Sequence, residues 1–125
     1  MTPFGARIRE LRAERGISQK QMAAALGVSA AYLSALEHGR RGAPSWAFVQ
    51  KVIGFFNVIW DDAEELEQLA AMSDPRVVID TSGLSPEATR LANLLADRIR
   101  SLDRGQIADI LATIRTGRPR TQKRA

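Results

Sequence analysis

The stretch ISQKQMAAALGVSAAYLSALEHG, residues 17–39, decides how the rest of the chain is read. Two short helical patterns lie in it, divided by Gly27. Ser18 reads as an N-cap, and Gln21 three residues later completes a capping box, in which each residue's side chain satisfies the other's backbone. The first pattern places Met22, Ala23 and Leu26 on one face. Gly27 stops that helix by taking a left-handed conformation that other residues adopt only at a cost. Val28 fills the turn, Ser29 caps the second helix, and Leu33 and Leu36 give that helix an inward face. Ala23 stands at the closest approach of the two helices and is small enough to let them cross steeply. The pattern is that of a helix-turn-helix.

On these residues the chain resembles the phage repressor/Cro (XRE-type) family of DNA-binding domains. Gln19 opens the first helix, Ala23 sits at the crossing and Gly27 is in the turn. Met22, Leu26, Val28, Leu33 and Leu36 occupy the apolar positions, and Glu37-His38-Gly39 closes the motif like the family's E-x-G ending. An ordinary αα-hairpin within an unrelated helical domain is the alternative reading of the same pattern. The resemblance implies an all-α fold, with double-stranded DNA as partner and the start of the second helix directed into the major groove.

Members of that family often carry glutamine, arginine or asparagine at the groove-facing positions. This chain has Ala30 and Ala31, which weakens the case for direct hydrogen-bonded readout. Alanine can still touch a thymine methyl, and Ser29 or Ser34 can reach a base or a phosphate. Ala35 completes the outward face, while Tyr32 at its flank either hydrogen-bonds a phosphate or packs over the helix. Specificity then leans on methyl contacts, DNA shape and half-site spacing. The resemblance makes Gln19 a phosphate contact, with Lys20 adding positive charge. Arg40 and Arg41 lie in the loop GRRGAPS, whose glycines and proline favour turns. They suit flanking phosphates or an adjacent minor groove, contacts that set affinity and register rather than sequence choice. The family also pairs an arginine at the position of Arg12 with the glutamate ending the recognition helix, here Glu37. A free surface arginine is the alternative.

Charge supports a polyanion as partner. Residues 1–51 carry eight Lys/Arg against three acids, residues 52–114 five against eleven, and residues 115–125 five against none. A basic front end binds DNA by releasing condensed counterions, and the acidic middle is expected to face away. Cysteine is absent and histidine occurs once, at His38, so no metal cluster, thiolate nucleophile or disulfide is expected. No phosphate-binding glycine loop or nucleophile elbow is legible, which argues against an enzyme, and no cofactor is expected. No apolar run approaches the roughly 20 residues that span a bilayer. The N-terminus MTPFGARIRELR lacks the apolar middle of a signal peptide, so a soluble cytoplasmic protein is expected.

Around the motif the chain reads as further helices. Thr2 caps a first helix to Arg15, with Pro3 at its first position and Phe4, Ile8 and Leu11 facing inward. Arg7, Arg9 and Arg15 are expected in solvent. A fourth helix is expected from Pro44 or Ser45 to Phe56, with Trp46, Val49, Ile53 and Phe56 buried and Val52 nearby. A fifth runs from Asp61 to Met72 on Leu66, Leu69 and Ala70, its acidic first turns favoured by the helix dipole. The five-helix repressor-like domain thus spans 1–73. Residues 76–80, RVVID, are β-branched, and either form an edge strand that pairs with its own copy in a dimer or act as a linker that lays Val77 and Ile79 on the core. Ser85-Pro86-Glu87 starts a sixth helix to Leu102, with Ala88, Leu91, Leu95, Ile99 and Leu102 on one stripe, and Asp103 with Gln106 caps a seventh.

Helices six and seven form a hairpin too small to hide both its apolar faces. The hairpin either packs back on the first five helices or meets a second copy, and the second is favoured: Leu91, Leu95, Ile99, Ile107, Ile110, Leu111 and Ile114 are expected in a dimer interface within 74–116. A basic, disordered tail is expected over 117–125. The leading expectation is a sequence-specific DNA-binding transcriptional regulator, a repressor acting as a homodimer on an inverted-repeat operator. The alternative is an antitoxin-like module whose C-terminal helices bind a protein partner.

Overall fold

Local sequence signals start and stop most of the helices. In the computed structural model, which describes residues 1–115, Thr2 caps α1 (Pro3–Arg15) by accepting a hydrogen bond from the Gly5 N–H at 3.0 Å. The capping box of α2 (Gln19–Leu26) is formed in both directions between Ser18 and Gln21. Gly27 ends it at φ 73°, in the left-handed conformation that glycine reaches without a Cβ penalty. Ser29 caps α3 (Ala30–Glu37) through the Tyr32 N–H, and Ser45 caps α4 (Trp46–Phe56) through the Phe48 N–H. α5 (Asp61–Ala71) has no side-chain cap. It begins instead with Asp61, Asp62 and Glu64 in its first turn, where the exposed N–H groups favour negative charge.

These five helices belong to one unit, Met1–Val78, built on a single core. Phe4, Ile8, Met22, Leu33, Val52, Phe56 and Leu66 are almost wholly buried in it. The chain closes on itself through Ser73. Its hydroxyl accepts from the Phe4 N–H at 3.0 Å and donates to the Leu69 carbonyl at 2.6 Å, tying the first turn of α1 to the end of α5.

Three expectations change here. Trp46 is 74% exposed, and Phe48, which the sequence reading did not place in the core, is buried beside Val49, Val52 and Phe56. Residues on a helix turn by about 100° each, and the centre of that buried set lies roughly 100° from Trp46. The helix rotates to enclose Phe48 and Val52, which leaves the indole outside. Residues 76–80 form neither a strand nor a cover, since no strand occurs among the described residues and Val77, Val78 and Ile79 are exposed. Arg7 is only partly exposed, and bonds to Glu10 at 2.9 Å and Glu65 at 3.2 Å. The hydrogen bond to Glu10, aided by the charges of Glu65 and Glu14, raises its pKa against the effect of burial. Arg15 is exposed as expected, and also donates to the Phe56 carbonyl and lies over the Phe56 ring at 5.5 Å.

A second unit begins at Ile79. Ser85 caps α6 (Pro86–Arg98), with Pro86 at its first position. The helix tightens into a 3-10 turn over Ile99–Ser101 instead of running unbroken to Leu102. Asp103 and Gln106 then form the reciprocal cap of α7 (Arg104–Arg115), at 3.0 and 2.8 Å. Leu91, Leu95 and Leu102 face Ile110 and Ile114 across a cleft of about 440 Å³. Among the described residues of this unit no side chain is fully buried: Leu91 is 66% and Ile114 67% exposed, and Ile99, Ile107, Ile110 and Leu111 are exposed as well. Among the described residues no helix is long and apolar enough to cross a membrane. The basic tail expected over 117–125 lies outside the described residues.

Candidate nucleic-acid interface

The position of α3 is set at its last residue. Glu37 is 1% exposed, a burial that an unpaired carboxylate could not sustain. Three donors compensate it. Arg12 donates from Nη2 to Oε1 at 3.1 Å and from Nε to Oε2 at 3.3 Å, a two-pronged contact from α1. Gln19 Nε2 donates to Oε1 at 3.1 Å from the first residue of α2. Arg12 also reaches the Ile17 carbonyl at 3.4 Å, in the α1–α2 connection. One carboxylate thus joins α1, α2 and α3, and the angle between the two helices of the motif cannot change without breaking its bonds. The Glu37 backbone is held too: its carbonyl accepts from the Thr2 N–H at 3.4 Å, and Gly5 packs directly against it.

From this anchor α3 presents its N-terminal half outward. Ala30 and Ala31 are exposed, while Ser34 and Ala35 are half-buried along the same helix. Ser29 is exposed, but its hydroxyl oxygen is already engaged as the cap. The Ser34 carbonyl accepts a 2.8 Å contact from His38 Nδ1, with the imidazole N–H as donor, so the single histidine packs along the end of the helix. The outward surface of α3 therefore consists of methyl groups and two serines. It can make close apolar contact with a thymine methyl but offers few directed donors.

Around this surface the basic residues separate into two kinds. Lys20 and Arg40 are exposed, and the Arg40 backbone N–H closes the end of α3 by donating to the Ala35 carbonyl at 2.9 Å. Arg41 folds back over the Tyr32 ring, its guanidinium carbon 4.9 Å from the centroid. Tyr32 in turn meets Phe48 edge-on at 5.7 Å. Gln19 is placed differently from the simple phosphate contact that the resemblance implies, because its amide N–H is committed to Glu37. Its carbonyl oxygen cannot donate to a phosphate, which leaves the amide's second N–H for such a contact.

Sequence reasoning missed Gly5 and Ser73, which hold the motif in place without belonging to it. A glycine inside an otherwise regular helix pattern was the available signal for Gly5, since such a residue weakens the helix unless something approaches closely. Nothing in the local pattern marks Ser73, whose partner Phe4 lies 69 residues away.

Comparison with known proteins agrees with this geometry. The family model described as a helix-turn-helix domain matches residues 3–69. RghRB of Bacillus subtilis (strain 168), named an HTH-type transcriptional regulator, is 37% identical over 62 residues, covering 50% of this chain and 45% of that protein. The HTH-type transcriptional repressor RghR of the same organism is 44% identical over 52 residues, covering 42% and 38%. The HTH-type transcriptional regulator DdrOP3 of Deinococcus deserti is 37% identical over 91 residues, covering 73% of this chain and 63% of its own length. The chain thus spans between 38% and 63% of the length of these relatives.

Proposed function

Since this chain belongs to the helix-turn-helix family, in its phage repressor/Cro (XRE) type, we propose that it is a sequence-specific DNA-binding transcriptional regulator. The observation that carries this reading is the buried Glu37 joint, which holds α3 rigidly while its Ala30–Ala31 face stands open to solvent. A helix held in this way can enter a major groove at a fixed angle, with Lys20, Arg40 and Arg41 supplying phosphate contacts. The relatives named as transcriptional regulators and a repressor support the same reading.

The working form is a homodimer on an inverted repeat, and it acts as a repressor by occlusion. Two recognition helices in successive major grooves would block access to the DNA between and beside them. The exposed apolar side chains of α6 and α7 support the dimer, since a surface of this kind is adhesive in water. The same surface supports a second reading, in which a helical protein partner covers it as in an antitoxin-like module.

Selection from a random duplex pool with the full chain tests both readings. The expected result is enrichment of a palindromic site, bound by two copies, with affinity falling steeply as salt rises. A pool that never enriches would dispose of sequence-specific binding. An enriched half-site bound by one copy would dispose of the homodimer while leaving the DNA interface.

A further inference from the structure

The outward face of α3 lacks long donors, yet one is carried to it from outside the helix. Arg41 lies beyond the C-terminal end of α3, and its guanidinium carbon nonetheless sits 4.9 Å over the ring of Tyr32, the third residue of that helix. The ring beneath it is well held. It meets the buried Phe48 edge-on, with an interplanar angle of 77°, and its own backbone N–H donates to the Ser29 hydroxyl at 3.0 Å. A guanidinium held over a ring by the attraction of its charge for the ring's negative face still has N–H donors on the side away from the ring. None of the ion pairs formed among the described residues involves Arg41, so no carboxylate competes for those donors.

We infer that Tyr32 is a positioning residue for Arg41: its ring holds the guanidinium beside α3, ready to donate to a DNA phosphate oxygen, and its hydroxyl takes no part. The inference rests on the DNA-binding reading above. A free arginine side chain loses rotamer freedom when a phosphate captures it. The stacked side chain has lost part of that freedom before DNA arrives, which improves binding without adding a contact. A lysine over the same ring would present a single compact ammonium, without the several N–H groups in fixed directions that a guanidinium offers.

The test compares the full chain with Y32F, Y32L, R41A and the Y32L/R41A double variant on the selected duplex and on random duplex across a salt series. Thermal melting of each variant is recorded alongside. Y32F is expected to bind like the unmodified chain, with the same salt slope. Y32L should weaken binding about two- to fivefold, the range of an exposed cation–π contact. R41A should lower the salt slope by about one. The double variant should bind no more weakly than R41A alone, because Tyr32 acts only through Arg41. A loss in Y32F as large as that in Y32L would show that the hydroxyl touches DNA, and would overturn the inference. So would losses in Y32L and R41A that multiply in the double variant. If Y32L does not stay folded, NMR of the free protein decides: the Arg41 δ-methylene protons should lie upfield in the unmodified chain and in Y32F, and unshifted protons overturn the stack. An unmodified chain that binds no duplex removes the DNA-binding reading itself. Normal binding with an unaffected R41A removes only this inference.

Discussion

Gly5 lies against the backbone of Glu37 so closely that a Cβ at Gly5 would stand 2.4 Å from the Glu37 carbonyl oxygen and 2.6 Å from its Cα. The atoms in the way belong to the main chain and cannot swing aside. The absence of one methyl group therefore lets the start of α1 rest on the end of the recognition helix. A side chain at Gly5 must push α1 and α3 apart at the residue that also anchors Arg12 and Gln19.

Gly5→Ala is accordingly expected to destabilise the protein by about 1–3 kcal/mol or more, the range for overpacking a close contact. Gly54 is the internal control. It lies inside α4, and nothing stands within 4 Å of a Cβ built there. Gly54→Ala should stabilise by about 0.5–1 kcal/mol, because alanine loses less backbone freedom in a helix. Urea denaturation of the two variants checks the pair, and equal effects would show that α1 and α3 can separate at Gly5 without cost.

Glu37→Ala removes the acceptor of three donors in a site that is 1% exposed. Arg12, itself only 14% exposed, would be left charged and unpaired. The expected loss is about 3 kcal/mol, near the lower end for breaking a buried pair, since Arg12 keeps some contact with water. Calorimetric melting reads this directly. A loss under about 1 kcal/mol would place the pair with ordinary surface bridges.

The outward residues should separate by class. Arg40→Ala should weaken binding similarly on selected and random duplexes, and lower the salt slope by about one for each phosphate the side chain neutralises. Ala31→Gln or Ala31→Leu should instead abolish preference for the selected site while the nonspecific, salt-dependent component persists. Both effects come from anisotropy titrations at several salt concentrations. Matching losses on both duplexes for both positions would mean that the groove-facing side has been misplaced.

The division between units near Val78 gives a fourth prediction. The core of the first unit is complete without any residue after Ser73, and Ser73 itself is needed to receive the Phe4 N–H. A chain ending at Val78 should therefore fold, sediment as a monomer and bind the operator much more weakly than the full chain. Each large apolar side chain that a dimer would bury in α6 and α7 contributes about 1.5–3 kcal/mol, which is the affinity the truncation gives up. Dimerisation of the truncated chain would move the interface to the first unit, and a monomeric full chain at micromolar concentration would point to a different partner for α6 and α7.

What the sequence by itself determined is local in origin. Thr2 with Pro3, the Ser18–Gln21 and Asp103–Gln106 capping boxes, Ser29 and Gly27 all act on backbone groups within four residues of themselves, so their outcome needs no knowledge of the rest of the chain. The apolar spacing of Met22, Leu26, Leu33 and Leu36 likewise follows from helix periodicity once the caps are placed. The Arg12–Glu37 pairing was legible only through family resemblance, since nothing in spacing alone relates two residues 25 apart. Tertiary packing decided the rest. Periodicity placed Trp46 on the buried side of α4, but the helix is rotated to enclose Phe48 and Val52 beside Val49 and Phe56, and Phe48 meets Tyr32 of α3 there. The β-branched run at 76–80 favoured extended backbone, but a strand needs a neighbour to bond with, and none of the described residues provides one. The expectation of phosphate contacts at Gln19 and Arg41 gave no sign of Glu37 and Tyr32, partners that only the folded chain brings within reach.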